Sequence, residues 1–311
     1  MAEATKLIYQ VAARGQEPPD VACLYIVGVN RKIRGVKSMS DNERRTDEEV
    51  AELVAGLKGI SDVFFERLIN DPGVCEEFLQ TVLEMPRLRI KPETLVPQKS
   101  IKFIANRSVR VDAYIEDEAD RSFNIEVQRA NDCDHIRRAR YNASAITVYK
   151  SEPGDEFKDV QEVYVVYLTE DDFLKERRTI YHAEMVIRET GTALDDGLHE
   201  IFVNTQSDDG SKIARLMSLF EKTEVNDPEF PNFTRRFNEV KNDREEGEAM
   251  CREVEAYAEK RAAKAAAEAA IRQVVQTGLK YGASESKLET DLMVDHHLTE
   301  DEAKAAIAKY R

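Results

Sequence analysis

Between Val109 and Arg129 (VRVDAYIEDEADRSFNIEVQR), apolar and polar residues alternate at period two on both sides of the acidic turn EDEAD. This is the pattern of two half-buried strands joined as a hairpin. Folding the segment about Ala119 sets Val111 against Val127, Ala113 against Ile125 and Ile115 against Phe123 on a wholly apolar face. The other face sets Asp112 against Glu126 and Tyr114 against Asn124, and Gln128 follows Glu126 at the period that keeps it on that face. Two carboxylates and an amide converge there. Like charges directly opposite in a sheet repel, so either both acids face solvent or a cation compensates them. Magnesium suits the second case, because it takes carboxylate oxygens plus water and can orient or activate a water for phosphodiester hydrolysis.

Elsewhere the apolar spacing turns helical. From Thr46 to about Met85 it predicts two or three helices, punctuated by Gly56, Gly59 and the DPG at Asp71. SIKFIA, from Ser100, reads as the strand before the hairpin. After the hairpin, Asn131 to Asp134 offer N-caps for a helix running to about Lys150, with Ile136, Ala139, Ala143 and Ile146 as its buried stripe. EVYVVYL at Glu162 to Leu168 has the β-branched and aromatic content of a central strand. EMVIRE and EIFVNT read as added strands and SKIARLMSLFEK as a helix, with DDG and NDPEFPN as loops.

From Asp243 to about Gln276 the chain is rich in Glu, Lys, Arg and Ala, predicting a long charged helix that packs on the core or pairs with another copy. Gly278 and Gly282 are expected to break it. Ser284 then caps one short helix, and Thr299 with Glu302 makes a capping box for the last. Residues 1–45 carry the short apolar runs LIYQVA and VACLYIVGV without a function, and the pattern leaves room for Met39 as the true start. The expected organisation is an N-terminal extension (1–45), an α/β domain (46–242) and a long helix with a small helical tail (243–311).

Charged residues make up 34% of the 311, the net charge is -15, and 42% are hydrophobic. That balance fits a soluble globular protein with charged helices rather than a disordered acidic chain. No run of about eighteen apolar residues occurs and the N-terminus lacks a secretory pattern, so a cytoplasmic protein is expected. Cys23, Cys75, Cys133 and Cys251 form no CxxC pair and read as reduced thiols, and the five histidines show no metal-ligand spacing with the hairpin acids. Against the overall charge, residues 86–110 hold Arg87, Arg89, Lys91, Lys99, Lys102, Arg107 and Arg110 with Glu93 as the single acid. Such a stretch suits a polyanion, or is ordinary solvated charge.

The run SVRVDAYIEDEADRSFNIEVQ, followed by RARY at Arg138 to Tyr141 and by VYVVYLTEDDF, resembles the PD-(D/E)XK nuclease family transposases, the Rpn-type recombination-promoting nucleases. Upstream SDVFFERLI looks like that family's opening helix, while IFVNT and EEGEAMCREVEAYAEKRA look like its later strand and long C-terminal helix. The likeness spans about Ser61 to Gln276. It implies a restriction-endonuclease-like core (helix, three-stranded antiparallel meander, helix, strand) and magnesium-dependent cleavage of DNA.

By that resemblance Asp112 and Glu126 hold the metal, Gln128 completes the E-x-Q, and Asp62 is the acid of the opening helix, although a helix N-cap is its alternative reading. Arg110, Arg138 and Tyr141 are candidates for contact with substrate. Gln128 stands where the wider superfamily has lysine, a neutral amide in place of a positive charge. The competing functions are a catalytically weak or inactive relative that binds DNA or a protein partner, and an interaction protein organised by the long helix as a homo-oligomer.

Overall fold

The computed structural model describes residues 47–101, 109–128 and 135–311. LIYQVA, VACLYIVGV, Met39, Cys23, Lys102, Arg107, the end of SIKFIA, and the caps and Cys133 within 131–134 lie outside the described residues. The chain forms two compact units, Thr46–Arg252 and a second whose described part is Glu253–Arg311.

The first unit opens with three helices, α1 (Asp47–Gly56), α2 (Asp62–Ile69) and α3 (Pro72–Val82). Their helical apolar spacing buries Phe64, Phe65 and Leu68 of α2 and Val74, Phe78 and Leu79 of α3. Helix α3 starts at the DPG, where the Asp71 carboxylate accepts from Val74 N–H at 3.0 Å and Pro72 occupies the first turn.

Next come β1 (Val96–Ile101), β2 (Val109–Glu116), β3 (Ser122–Gln128), α4 (His135–Lys150), β4 (Val163–Thr169), β5 (Ile180–Ala183), β6 (Val186–Ile187), β7 (Thr192–Ala193) and β8 (Leu198–Asn204). The main sheet has the order β1-β2-β3-β4-β8-β5. β1–β2, β2–β3 and β5–β8 pair antiparallel, whereas β3–β4 and β4–β8 pair parallel. The expected order of helix, meander, helix and strand is therefore realised, and α4 is the crossover that parallel pairing of β3 with β4 requires.

EIFVNT is a strand as expected, in β8, which lies between β4 and β5. Two expectations about the strands need correction. Of EMVIRE only Val186–Ile187 is a strand, in a separate pair with β7. The strand before the hairpin begins at Val96 and includes Pro97, which an edge strand tolerates because its outer N–H positions need no partner.

In the hairpin, Ala113 pairs with Ile125, Tyr114 with Asn124 and Ile115 with Phe123, as the alternation required. The sheet separates two cores. Ala113, Ile115, Phe123 and Ile125 face α1 to α3, together with α5 (Lys212–Phe220) and α6 (Pro231–Asn242). Tyr114, Val163, Val165 and Tyr167 face α4. Val111 was expected on the first face but packs with Tyr114 in the second core. The irregularity lies at Asp112, opposite Gln98, whose φ of 48° breaks the extended run of β1.

Two helices also depart from expectation. Helix α6 starts inside NDPEFPN, with Pro231 in its first turn and Phe233, Phe237 and Val240 buried. On α4 the buried stripe is His135, Ala139, Asn142, Ala143 and Ile146, while Ile136 is 56% exposed. His135 belongs to the core, with its ring centroid 5.5 Å from Tyr167 and 4.8 Å from Phe173.

Helix α7 (Arg244–Lys280) begins in this unit, burying Met250 and Cys251. In the second unit its later turns join α8 (Glu285–Asp295) and α9 (Glu300–Tyr310) around Val275, Leu288, Leu292, Ala303 and Ile307. Gly278 does not end the helix: a Cβ there would lie 2.4 Å from Leu288 Cδ2, so the glycine serves close packing. The break falls at Gly282, with φ 76°. Ser284 caps α8, and Thr299 with Glu302 forms the expected capping box.

Candidate active site

The β2–β3 ladder ends at the Ala113–Ile125 pair, and just beyond it Asp112 on β2 and Glu126 on β3 are joined by side chain-to-backbone hydrogen bonds. The Asp112 N–H donates to Glu126 Oε1 at 3.2 Å, and the Val127 N–H donates to Asp112 Oδ2 at 3.0 Å. Each carboxylate thus bonds to the backbone of the other strand, leaving Asp112 Oδ1 and Glu126 Oε2 outside that exchange. The two acids come together on one end of the hairpin, as the alternation implied.

They are not on a solvated face. Glu126 is 5% exposed. Burial, then the neighbouring Asp112 charge, pushes its carboxyl up to about 8. Asp112 is raised as well, first by burial; the Val127 N–H opposes the shift, the Asp62 charge adds to it, and Arg110 and Arg138 oppose it. Asp112 and Glu126, both raised by burial and with the charge of Asp112 added at Glu126 and that of Asp62 at Asp112, form a place where a bound cation is favoured.

Gln128 ends β3, and its Oε1 accepts from Arg138 Nη1 on α4 at 3.0 Å. Asp62 stands in the first turn of α2 with Ser61 at the N-cap, so the N-cap reading of Asp62 is corrected; its negative charge acts on Asp112. Arg110 is exposed on β2, close enough for its charge to act on Asp112. Tyr141 is 46% exposed on α4, whereas Asn142 beside it is buried.

The basic stretch is divided among separate partners. Arg89 pairs with Glu76 at 3.1 Å, Lys91 pairs with Asp120, and Lys99 lies 3.5 Å from the centroid of the Tyr114 ring. Sequence reasoning missed Gln98, which lies opposite Asp112 on β1 and donates to Glu66 of α2. An isolated glutamine in a strand carries no signal of such a tie.

Among the described residues no group of three or more His, Cys, Asp or Glu side chains gathers as a metal cluster. The donor set is the two carboxylates, which fits magnesium with the rest of its shell made of water, amide or substrate oxygens. A family model described as PD-(D/E)XK nuclease family transposase matches residues 62–281. The chain belongs to this family. No curated protein and no solved structure matches it.

The match to the PD-(D/E)XK nuclease family transposases begins at Asp62 and spans the meander, α4 and all of α7. The fold is consistent with that of the family, and membership supports a nuclease role connected with mobile DNA. PD-(D/E)XK nucleases generally use divalent metals. Among the described residues no helix is long and apolar enough to cross a membrane.

Proposed function

We propose that this protein is a magnesium-dependent endonuclease that hydrolyses DNA phosphodiester bonds, with Asp112 and Glu126 as the metal-holding pair. The observation that carries this reading is the reciprocal contact of buried Glu126 with half-buried Asp112, each bonded to the other strand's backbone, where burial raises both carboxyls and the Asp112 charge raises Glu126 further. A bound magnesium ion supplies positive charge for the phosphate oxygens and lowers the pKa of a coordinated water. Asp112 and Glu126 would bind it through Oδ1 and Oε2, and Gln128 would orient the attacking water by hydrogen bonding. Asp62 adds negative charge from α2, and Arg110 and Tyr141 are available to a DNA backbone from exposed positions. The cytoplasm is the proposed setting, where the buried thiols of Cys75 and Cys251 stay reduced.

Nicking of supercoiled plasmid in the presence of magnesium tests the assignment. Asp112→Asn and Glu126→Gln keep an oxygen for the Val127 and Asp112 N–H groups, so they separate loss of chemistry from loss of fold. Each is expected to lower the rate by about a hundredfold or more. Full activity in both variants overturns the reading. Unaltered magnesium affinity in the Asp112→Asn protein favours a DNA-binding or partner-binding relative without catalysis.

A further inference from the structure

A lysine at the third position of the E-x-K motif delivers a mobile positive charge to the reacting phosphate, and Gln128 cannot. The structure nevertheless places a permanent positive charge against this amide. Arg138 reaches from α4 and donates from Nη1 to Gln128 Oε1 at 3.0 Å. The amide has one acceptor oxygen and two N–H donors. With its oxygen held by the guanidinium, its NH2 end is turned away from Arg138. The charge of Arg138 also reaches both Asp112 and Glu126, where it favours the ionised carboxylates. One cation therefore touches the amide and influences both acids, while sitting on the helix that connects β3 to β4.

We propose that Arg138 is a positioning residue that fixes the orientation of the Gln128 amide and, through it, supplies the site with the positive charge that lysine provides elsewhere in the superfamily. The proposal rests on the nuclease reading of Asp112 and Glu126. It differs from a phosphate-contact role for Arg138, because the guanidinium acts on Gln128 rather than on substrate. Arginine suits this role because its charge persists at any working pH and its planar fork orients an amide oxygen better than a flexible ammonium does.

Four proteins are compared for plasmid nicking with magnesium and for binding of a labelled duplex without it: the wild type, Arg138→Ala, Gln128→Lys and the double variant Arg138→Ala/Gln128→Lys. Arg138→Ala is expected to lower kcat roughly 10- to 100-fold while KM and duplex affinity stay within about twofold. The double variant is expected to recover at least about tenfold over Arg138→Ala, because the lysine brings its own charge and needs no partner to orient it. A parallel loss of duplex affinity in Arg138→Ala, with the salt slope of binding reduced by about one, overturns the proposal in favour of a phosphate contact. An active wild type whose Arg138→Ala loss is not rescued by Gln128→Lys also overturns it and leaves the nuclease reading intact. A wild type whose nicking is unchanged by Asp112→Asn overturns that reading and the proposal with it.

Discussion

The Asp112 N–H lies 3.2 Å from Glu126 Oε1, so the acid on one strand accepts a hydrogen bond from the backbone of the acid facing it. That bond holds the Glu126 carboxylate in place without neutralising it. Its carboxyl is raised to about 8, first by burial and then by the Asp112 charge. The folded protein therefore binds a proton between the ordinary glutamate range and about pH 8 that the unfolded chain has released. This contribution to stability is fully present below the unfolded pKa and is lost as pH rises through the folded value.

In the absence of metal, the melting temperature of the wild type should fall relative to that of Glu126→Gln as pH rises from about 5 to 8.5. The corresponding difference in unfolding free energy should be on the order of a few kcal/mol by linkage. Magnesium should reduce it by binding the ionised pair. Paired thermal melts across that range check the expectation, and parallel curves for the two proteins refute it.

Helix α6 begins without a capping side chain of its own, since Phe230 occupies its N-cap. Glu77 of α3 supplies the acceptor, taking the Asn232 N–H at 3.2 Å and the Phe233 N–H at 2.9 Å. Glu77→Ala leaves two N–H groups at a positive helix end without that partner, and should cost about 1–3 kcal/mol. Glu77→Gln should cost less, because one oxygen remains. Urea midpoints of the two variants decide it.

The other end of α1 is closed by a side chain from α6. Lys241 Nζ donates to the carbonyls of Val54 at 2.6 Å, Ala55 at 3.0 Å and Leu57 at 2.6 Å. Lys241→Met keeps an unbranched apolar side chain but removes all three donors and the ammonium that lies over the Phe64 and Phe237 rings. A loss of about 2–3 kcal/mol is expected, chiefly through local opening of α1. Hydrogen exchange of the α1 amides would show it.

Met250 and Cys251 of α7 belong to the core of the first unit, and Glu246 pairs with Arg236 at 2.8 Å. A chain ending at Asp243 loses all three, whereas one ending at Arg252 keeps them. The shorter chain should be less stable by several kcal/mol, a buried methionine alone accounting for about 2–5. Comparing both truncations by thermal melt and plasmid nicking separates the nuclease unit from any assembly role of the long helix. Equal melting temperatures would contradict the packing of α7.

Much of the site was legible because a strand has a period of two and a tight turn fixes register. Alternation predicted a shared face for Asp112, Glu126 and Gln128 opposite that of Ala113, Ile115, Phe123 and Ile125, and along β2 it holds back from the turn as far as Ala113. The caps at Ser284 and Thr299 were equally local. Alternation could not say that Val111 would cross to the other core, because that depends on the irregular backbone at Gln98 on a neighbouring strand. Nor could it reveal that α4 would bury His135 and Asn142 and expose Ile136, since hydrophobicity alone misjudges a helix whose inner face itself carries polar side chains.

The sequence by itself determined which residues could meet along a strand or one turn of a helix, since those relations follow from the repeat of the local backbone. Only the tertiary structure decided that Glu126 is buried rather than solvated, that α4 carries Arg138 to Gln128, and that Glu77 and Lys241 complete the ends of distant helices. Those contacts join residues by the packing of whole elements, and no periodicity in the chain records which elements will pack.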